Sequence, residues 1–115
     1  MNEYFSATYS DARAKFLSAC LDVKATVRSY QNPERGSAGE SLFTDTTWVG
    51  PDGASDVVVV TSSTHGVEGF AGSAIQIGLL LDPDAPKPTG DVALLLVHAI
   101  NPYGFAWLRR ENEDN

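Results

Sequence analysis

Val57-Val58-Val59-Val60-Thr61-Ser62-Ser63-Thr64-His65-Gly66-Val67-Glu68-Gly69 is the stretch on which the reading of this chain turns. Four consecutive β-branched residues with no polar alternation suit a central strand buried on both faces. Thr61 to Thr64 is a hydroxyl-rich connection. Glu68 then opens an apolar run to about Leu81, with Phe70, Ala74, Ile77 and Leu81 along one helical face. The small residues Gly69, Ala71, Gly72, Ser73 and Ala74 let that helix start lie close against a sheet. Asp82 to Gly90, carrying three prolines, returns the chain, and Val92-Ala93-Leu94-Leu95-Leu96-Val97 reads as a second buried strand. Strand, helix and strand in that order make a βαβ unit, which predicts two parallel strands with a right-handed crossover.

On the amino-terminal side, Gly50-Pro51-Asp52-Gly53 is a turn and Ser41 to Val49, rich in Thr, Phe, Trp and Val, reads as another strand. Asn32 to Glu40 is a loop by composition. Ser10-Asp11 can cap a helix to about Ser29, with Phe16, Cys20, Val23, Val27 and Tyr30 on one stripe.

Composition narrows the functional classes. The 115 residues make one domain or part of one, and 43% apolar content is enough for a core. Eight Lys and Arg against fifteen Asp and Glu give a formal charge of −7, which argues against nucleic acid and against anionic membrane surfaces. Cys20 is the only cysteine, so no internal disulfide forms, and its apolar neighbours suggest a buried thiol. The opening Met1-Asn2-Glu3-Tyr4-Phe5 has no basic start or long apolar core, and the apolar run Ile77–Leu81 is too short to span a bilayer. A cytoplasmic location is the expectation.

Chemistry concentrates where the two buried strands end. Ligands of open α/β sheets bind outside the carboxyl ends of the strands. His65 and Glu68 follow one such end; His98, Asn101, Arg109 and Arg110 follow the other. An imidazole and a carboxylate three residues apart can close on one zinc ion, and Gly66 would let the backbone turn between them. The plain alternative is a helix-capping glutamate beside a surface histidine. Arg109-Arg110-Glu111-Asn112 can stabilise an oxyanion or hold a substrate carboxylate, or can be a solvated charge run that pairs with itself. His98 can be a third ligand, although a hydrogen-bonded histidine at a strand end is more often structural. Tyr103, Phe105 and Trp107 read as packing. No Gly-x-Ser-x-Gly elbow is present, which sets aside a serine hydrolase.

Taken in order, Thr64-His65-Gly66-Val67-Glu68-Gly69, His98-Ala99-Ile100-Asn101-Pro102-Tyr103-Gly104-Phe105-Ala106-Trp107 and Arg109-Arg110-Glu111-Asn112-Glu113-Asp114-Asn115 resemble the zinc carboxypeptidase superfamily. More narrowly the chain resembles an uncharacterised bacterial branch of carboxypeptidase A-like proteins. The superfamily also contains succinylglutamate desuccinylase and aspartoacylase, which hydrolyse acylated amino acids. The resemblance covers about Ser41 to the end. It implies an α/β fold, a three-layer α/β/α arrangement with a mixed, mostly parallel sheet. Zinc would be the cofactor, with His65 and Glu68 as its first two ligands. Arg110 would polarise the scissile carbonyl, with Arg109 as the alternative register, and Arg109 and Asn112 would contact substrate. Tyr103 stands where the family has an aspartate.

Family members continue past the point matching Asn115 into an Asn-Arg segment that holds the substrate carboxylate, then a third ligand and a general base. The resemblance therefore implies that residues 1–115 are the amino-terminal part of a single domain, inactive by themselves. Peptides or acylated amino acids would be the substrates of the intact enzyme. A half-built sheet would expose an edge strand, so a homo-oligomer formed through that edge is expected. The competing reading is a non-catalytic α/β module for binding or assembly.

Overall fold

Asp56–Thr61 (β3) and Val92–His98 (β4) pair in parallel, with Asp56 opposite Val92 and Thr61 opposite Val97, and Gly69–Leu81 (α2) crosses between them. The βαβ unit expected from the valine run is therefore present. A computed structural model describes residues 2–115. Around the unit lie Tyr9–Asp22 (α1), Val27–Arg35 (β1), Ser41–Val49 (β2) and Pro102–Ala106 (α3). The sheet order is β1-β2-β4-β3, so β4 inserts between two strands that precede it in the chain.

The α/β class and the mixed sheet agree with the expectation, but two details differ. β1 pairs with β2 and β2 pairs with β4 antiparallel, so the parallel share is one pairing of three. A short connection at residues 36–40 closes β1 and β2 as a hairpin, and a hairpin is antiparallel by construction. The described residues also form two layers rather than three. Phe16, Ala19 and Cys20 of α1 share a buried cluster with Ile77 and Leu80 of α2 and with Leu96, and Val27, Val49, Val60 and Leu94 pack against it. Each of the four strands thus sends side chains to the same two helices.

β3 is likewise not buried on both faces. Val58 is 50% and Val59 55% exposed, because β3 is the edge of the sheet among the described residues. The helix expected to reach Ser29 stops at Asp22. Thr8 is its cap, accepting the Asp11 N–H at 3.1 Å, and Lys24 turns the chain with φ of 58°. Val27–Arg35 then extend as β1, taking in the first four residues, Asn32 to Arg35, of the segment expected to be a loop. Seven residues paired with β2 outweigh the helical stripe that Val27 and Tyr30 extend, since β-branched residues fit a pleated surface.

Between α1 and β2 sits an ion pair with no apparent sequence signature. Asp45 is fully buried and accepts from Arg13 Nε at 2.7 Å, Arg13 Nη2 at 3.0 Å and Ser29 Oγ at 2.5 Å. Arg13 also lies over the Phe43 ring at 3.9 Å, and the pairing raises its pKa further. Cys20 is buried as expected, and desolvation pushes its thiol up to about 11. Asp45→Ala should destabilise the fold by about 3 kcal/mol, because a half-buried guanidinium and a hydroxyl lose their shared acceptor. Urea unfolding monitored by tryptophan fluorescence measures this. A change below 1 kcal/mol would show the pair to be ornamental.

Candidate functional site

The parallel strands end in matched hooks. Ser63, just after β3, has φ of 61° and Ala99, just after β4, has φ of 57°, left-handed conformations uncommon for residues other than glycine. Hydrogen bonds fasten one hook to the other. Ile100 N–H donates to Ser62 O at 2.9 Å, Asn101 N–H to Ser63 O at 3.1 Å, and Ala99 N–H to Ser62 Oγ at 3.0 Å. Ser63 Oγ lies 3.2 Å from both Gly66 O and Asn101 O, so its hydroxyl bridges the loop after β3 and the loop after β4.

A third left-handed residue, Leu108, with φ of 56°, turns the chain after α3 so that Arg109 and Arg110 come back towards β3. The Arg110 carbonyl accepts from Gly66 N–H at 3.2 Å and from Asn101 Nδ2 at 3.3 Å. Asn101 also caps α3 through the Gly104 N–H at 2.9 Å. Gly66 has no left-handed backbone; its need is space. A Cβ there would fall on the Gly104 backbone and the Arg109 carbonyl. The sharp-turn role foreseen for Gly66 is therefore replaced by close approach.

These constraints bring His65, Glu68 and Arg110 together. His65 sits before a 3-10 turn, Gly66–Glu68, that leads into α2. Its Nδ1 lies 3.2 Å from Glu68 Oε1, and its Nε2 lies 3.4 Å from Arg110 Nη2. The His65–Glu68 contact is a hydrogen bond, and its length is also close to the roughly 3.3 Å that separates two donors each ~2.0–2.1 Å from one tetrahedral zinc ion. Among the described residues no group of three or more His, Cys, Asp and Glu is placed to share an ion.

A cleft of about 650 Å³ opens here, lined by Thr64, His65, Ile100, Asn101, Arg110, Glu111, Asn112 and Asn115. A slightly larger one of about 730 Å³ lies elsewhere, on the sheet face away from the helices, and contains none of these residues. Of the residues singled out from sequence, His65, Asn101, Arg110 and Asn112 share the cleft, and Glu68 touches His65. Arg109 faces away. Its Nη2 donates to Asn115 O at 2.5 Å, and its guanidinium lies 5.8 Å from the Tyr103 ring.

His98 lies apart from the cleft, as the structural reading expected. It is fully buried, stacked on Phe16 with ring centres 4.4 Å apart, and its Nε2 shares a hydrogen bond with Ser73 Oγ at 2.9 Å. Asp45 is its cross-strand neighbour on β2, so serine, histidine and aspartate meet there. They do not form a nucleophile triad: Nδ1 has no partner, Asp45 is committed to Arg13, and all three side chains are shut off from solvent. Ser62 and Ser63 fasten the two hooks, a role that their sequence does not single out. Their role depends on backbone hooks that a hydroxyl-rich stretch does not reveal.

A family model described as "Protein of unknown function (DUF2817)" matches residues 5–115. No curated protein matches the chain. Among solved structures, carboxypeptidase A from Helicoverpa armigera is similar, at 18% identity with a TM-score of 0.60, covering 92% of this chain and 28% of that one. At that identity the likeness is one of fold, and the chain spans 28% of the length of the structure it matches.

Gly66→Ala should unfold the rim, losing roughly 2–3 kcal/mol through overpacking against backbone that cannot yield. Thermal melts of the two proteins check this. A second expectation concerns acid. Burial pushes His98 down to about 4, well below the ordinary value near 6.5, so the fold holds it neutral. Its contribution is fully present above about pH 6.5. As pH falls towards 4 the unfolded chain takes up a proton that the fold refuses, and stability drops by on the order of 3 kcal/mol. Denaturation in urea from pH 7 to pH 4 should show this slope, and His98→Gln should flatten it by about one proton.

Proposed function

The chain belongs to the DUF2817 family, and we propose that its rim is the first part of a zinc-dependent hydrolase site of the metallocarboxypeptidase or acyl-amino-acid deacylase type. The observation that carries the reading is the His65 Nδ1 to Glu68 Oε1 spacing of 3.2 Å at the carboxyl end of a parallel strand pair. The match of fold to carboxypeptidase A supports it.

His65 and Glu68 would hold the metal through an imidazole nitrogen and a carboxylate oxygen. Zinc bound there supplies Lewis acidity towards a water molecule and a carbonyl oxygen. Arg110, 3.4 Å from the His65 ring, turns N–H donors towards the place where negative charge would develop on that oxygen. Its backbone is fixed through the Gly66 and Asn101 contacts, so the side chain starts from an anchored point. Asn112 and Thr64 in the cleft wall offer hydrogen bonds to a peptide or acylated amino acid. Arg109 shapes the turn that presents Arg110, and it reaches substrate only by releasing Asn115.

The proposal assigns the third donor and the general base to groups outside these 115 residues, so the chain by itself is inactive. A second reading, a non-catalytic binding or assembly module, draws on the lack of a three-donor group among the described residues. Zinc content after stripping and reloading separates the two. In the protein that includes the remaining donor, His65→Ala and Glu68→Ala should fall to background zinc. Arg110→Ala should keep its zinc and lose about 10²–10³-fold in hydrolysis rate. Unchanged zinc in the first two variants would refute the ligand assignment. A folded wild type that never retains zinc would hand the lead to the second reading.

A further inference from the structure

A closed ring of hydrogen bonds runs through the rim. Ser63 Oγ lies 3.2 Å from Gly66 O, and Gly66 N–H donates to Arg110 O at 3.2 Å. Asn101 Nδ2 donates to the same Arg110 oxygen at 3.3 Å, and Asn101 O lies 3.2 Å from Ser63 Oγ, where the ring closes. Two oxygens are its corners. The Arg110 carbonyl accepts two N–H groups, and the Ser63 hydroxyl has one proton for two carbonyls. Both hydroxyl contacts are longer than the ~2.7–2.8 Å usual for an O–H donor, which fits a proton shared between two acceptors. Ser63, Gly66 and Asn101 are buried.

Neither carbonyl needs the hydroxyl for its own satisfaction. Gly66 O also accepts from Gly69 N–H, and Asn101 O also accepts from Phe105 N–H at 3.2 Å. The backbone does not need serine either. At φ of 61° a glycine would sit without the steric strain that a Cβ brings. What the serine adds is the link itself. His65 lies inside the short span from Ser63 to Gly66 that the link closes, and Arg110 is held at the opposite corner. From these two places the side chains meet, with Arg110 Nη2 at 3.4 Å from His65 Nε2.

We propose that Ser63 is a positioning residue of the candidate site: its hydroxyl sets the distance between His65, a donor to the metal, and Arg110, the group that faces the developing negative charge. The assignment rests on the hydrolase reading of the rim. With the ring open, His65 and Glu68 still share one turn, so zinc is kept. What is lost is a fixed reach from that zinc to Arg110. A displacement of about 1 Å between such groups costs up to ~10²-fold in rate.

Ser63→Gly, made in the protein that includes the remaining donor, tests this, since glycine keeps the left-handed turn and removes only the link. In the metal-free protein, hydrogen exchange at the Gly66 amide should quicken at least about tenfold, while the Ile100 amide, bonded to Ser62 O, stays as in wild type. In the zinc-loaded protein, inorganic phosphate is the probe, a tetrahedral anion that can reach from the metal to Arg110. Zinc content should match wild type, and phosphate affinity measured by calorimetry should fall about tenfold, the scale of one charge-assisted hydrogen bond. Arg110→Ala should weaken phosphate at least as much. Adding Ser63→Gly to it should weaken phosphate no further, because both changes act through one contact. A merely structural serine would lower the melting temperature and the fraction of competent protein without this dependence on Arg110.

Unchanged exchange at Gly66, unchanged phosphate affinity, or equal losses with and without Arg110 would each overturn the proposal. A wild type that holds no zinc, or phosphate binding indifferent to Arg110→Ala, would overturn the hydrolase reading and the assignment with it. Both of those results are read without any Ser63 variant, so the two failures are told apart.

Discussion

Because β3 and β4 run side by side in the same direction, their carboxyl ends arrive at the same edge of the sheet, and the groups of the candidate site are assembled there. An antiparallel pair would have sent the Ser62–Glu68 loop and the Ala99–Arg110 segment to opposite ends. Parallel pairing needs a crossover, and α2 supplies it. The same helix begins where Glu68 must sit, so one element closes the βαβ unit and places a donor. Left-handed residues at Ser63, Ala99 and Leu108 then steer three chain segments into the space of a few peptide units. Such conformations persist only where the surroundings hold them, and here hydrogen bonds between the hooks do so.

Polar groups buried beneath the rim continue that logic. Gln76 Nε2 donates to Val60 O at 2.8 Å and to Val97 O at 3.1 Å, which ties α2 to both parallel strands at once. Ser73 engages His98, and Asp45 engages Arg13 and Ser29. An all-apolar core of this size could slide in register. These directional contacts make one register cheaper than its neighbours, at the cost of desolvating several polar side chains.

The βαβ unit was legible because its signal is periodic and local: a β-branched run, a small-residue helix, a second apolar run. β2 was readable for the same reason, and its bounds agree with Ser41–Val49. β1 was not, because Val27 and Tyr30 happened to extend the spacing of Phe16 and Cys20, and pairing with β2 decided the matter. The exposure of β3 lay beyond reach, since a valine run states what a strand is suited to and not what lies beside it. At the rim, His65 could be named from its type and its place after a strand, whereas Arg110 and Asn112 stood out only through the family resemblance. The orientation of Arg109 and the hydroxyl bridge at Ser63 could not be read, because both depend on backbone torsions that no residue type announces.

The strand order has a consequence for how the chain is made. β3 leaves the ribosome before β4, yet β4 is the strand that joins it to β2. The β1–β2 hairpin can close as soon as it emerges. The valine strand must wait while the roughly 30 residues that separate it from Val92 are synthesised. At ~5–20 residues per second that wait is about 2–6 s, far longer than hydrophobic collapse takes. During this interval the nascent chain displays an extended apolar segment with no seat in the sheet, which is the kind of surface that ribosome-associated chaperones bind. The insertion of a late strand between two early ones thus makes the interval between the synthesis of β3 and that of β4 the one in which this segment is most exposed to aggregation.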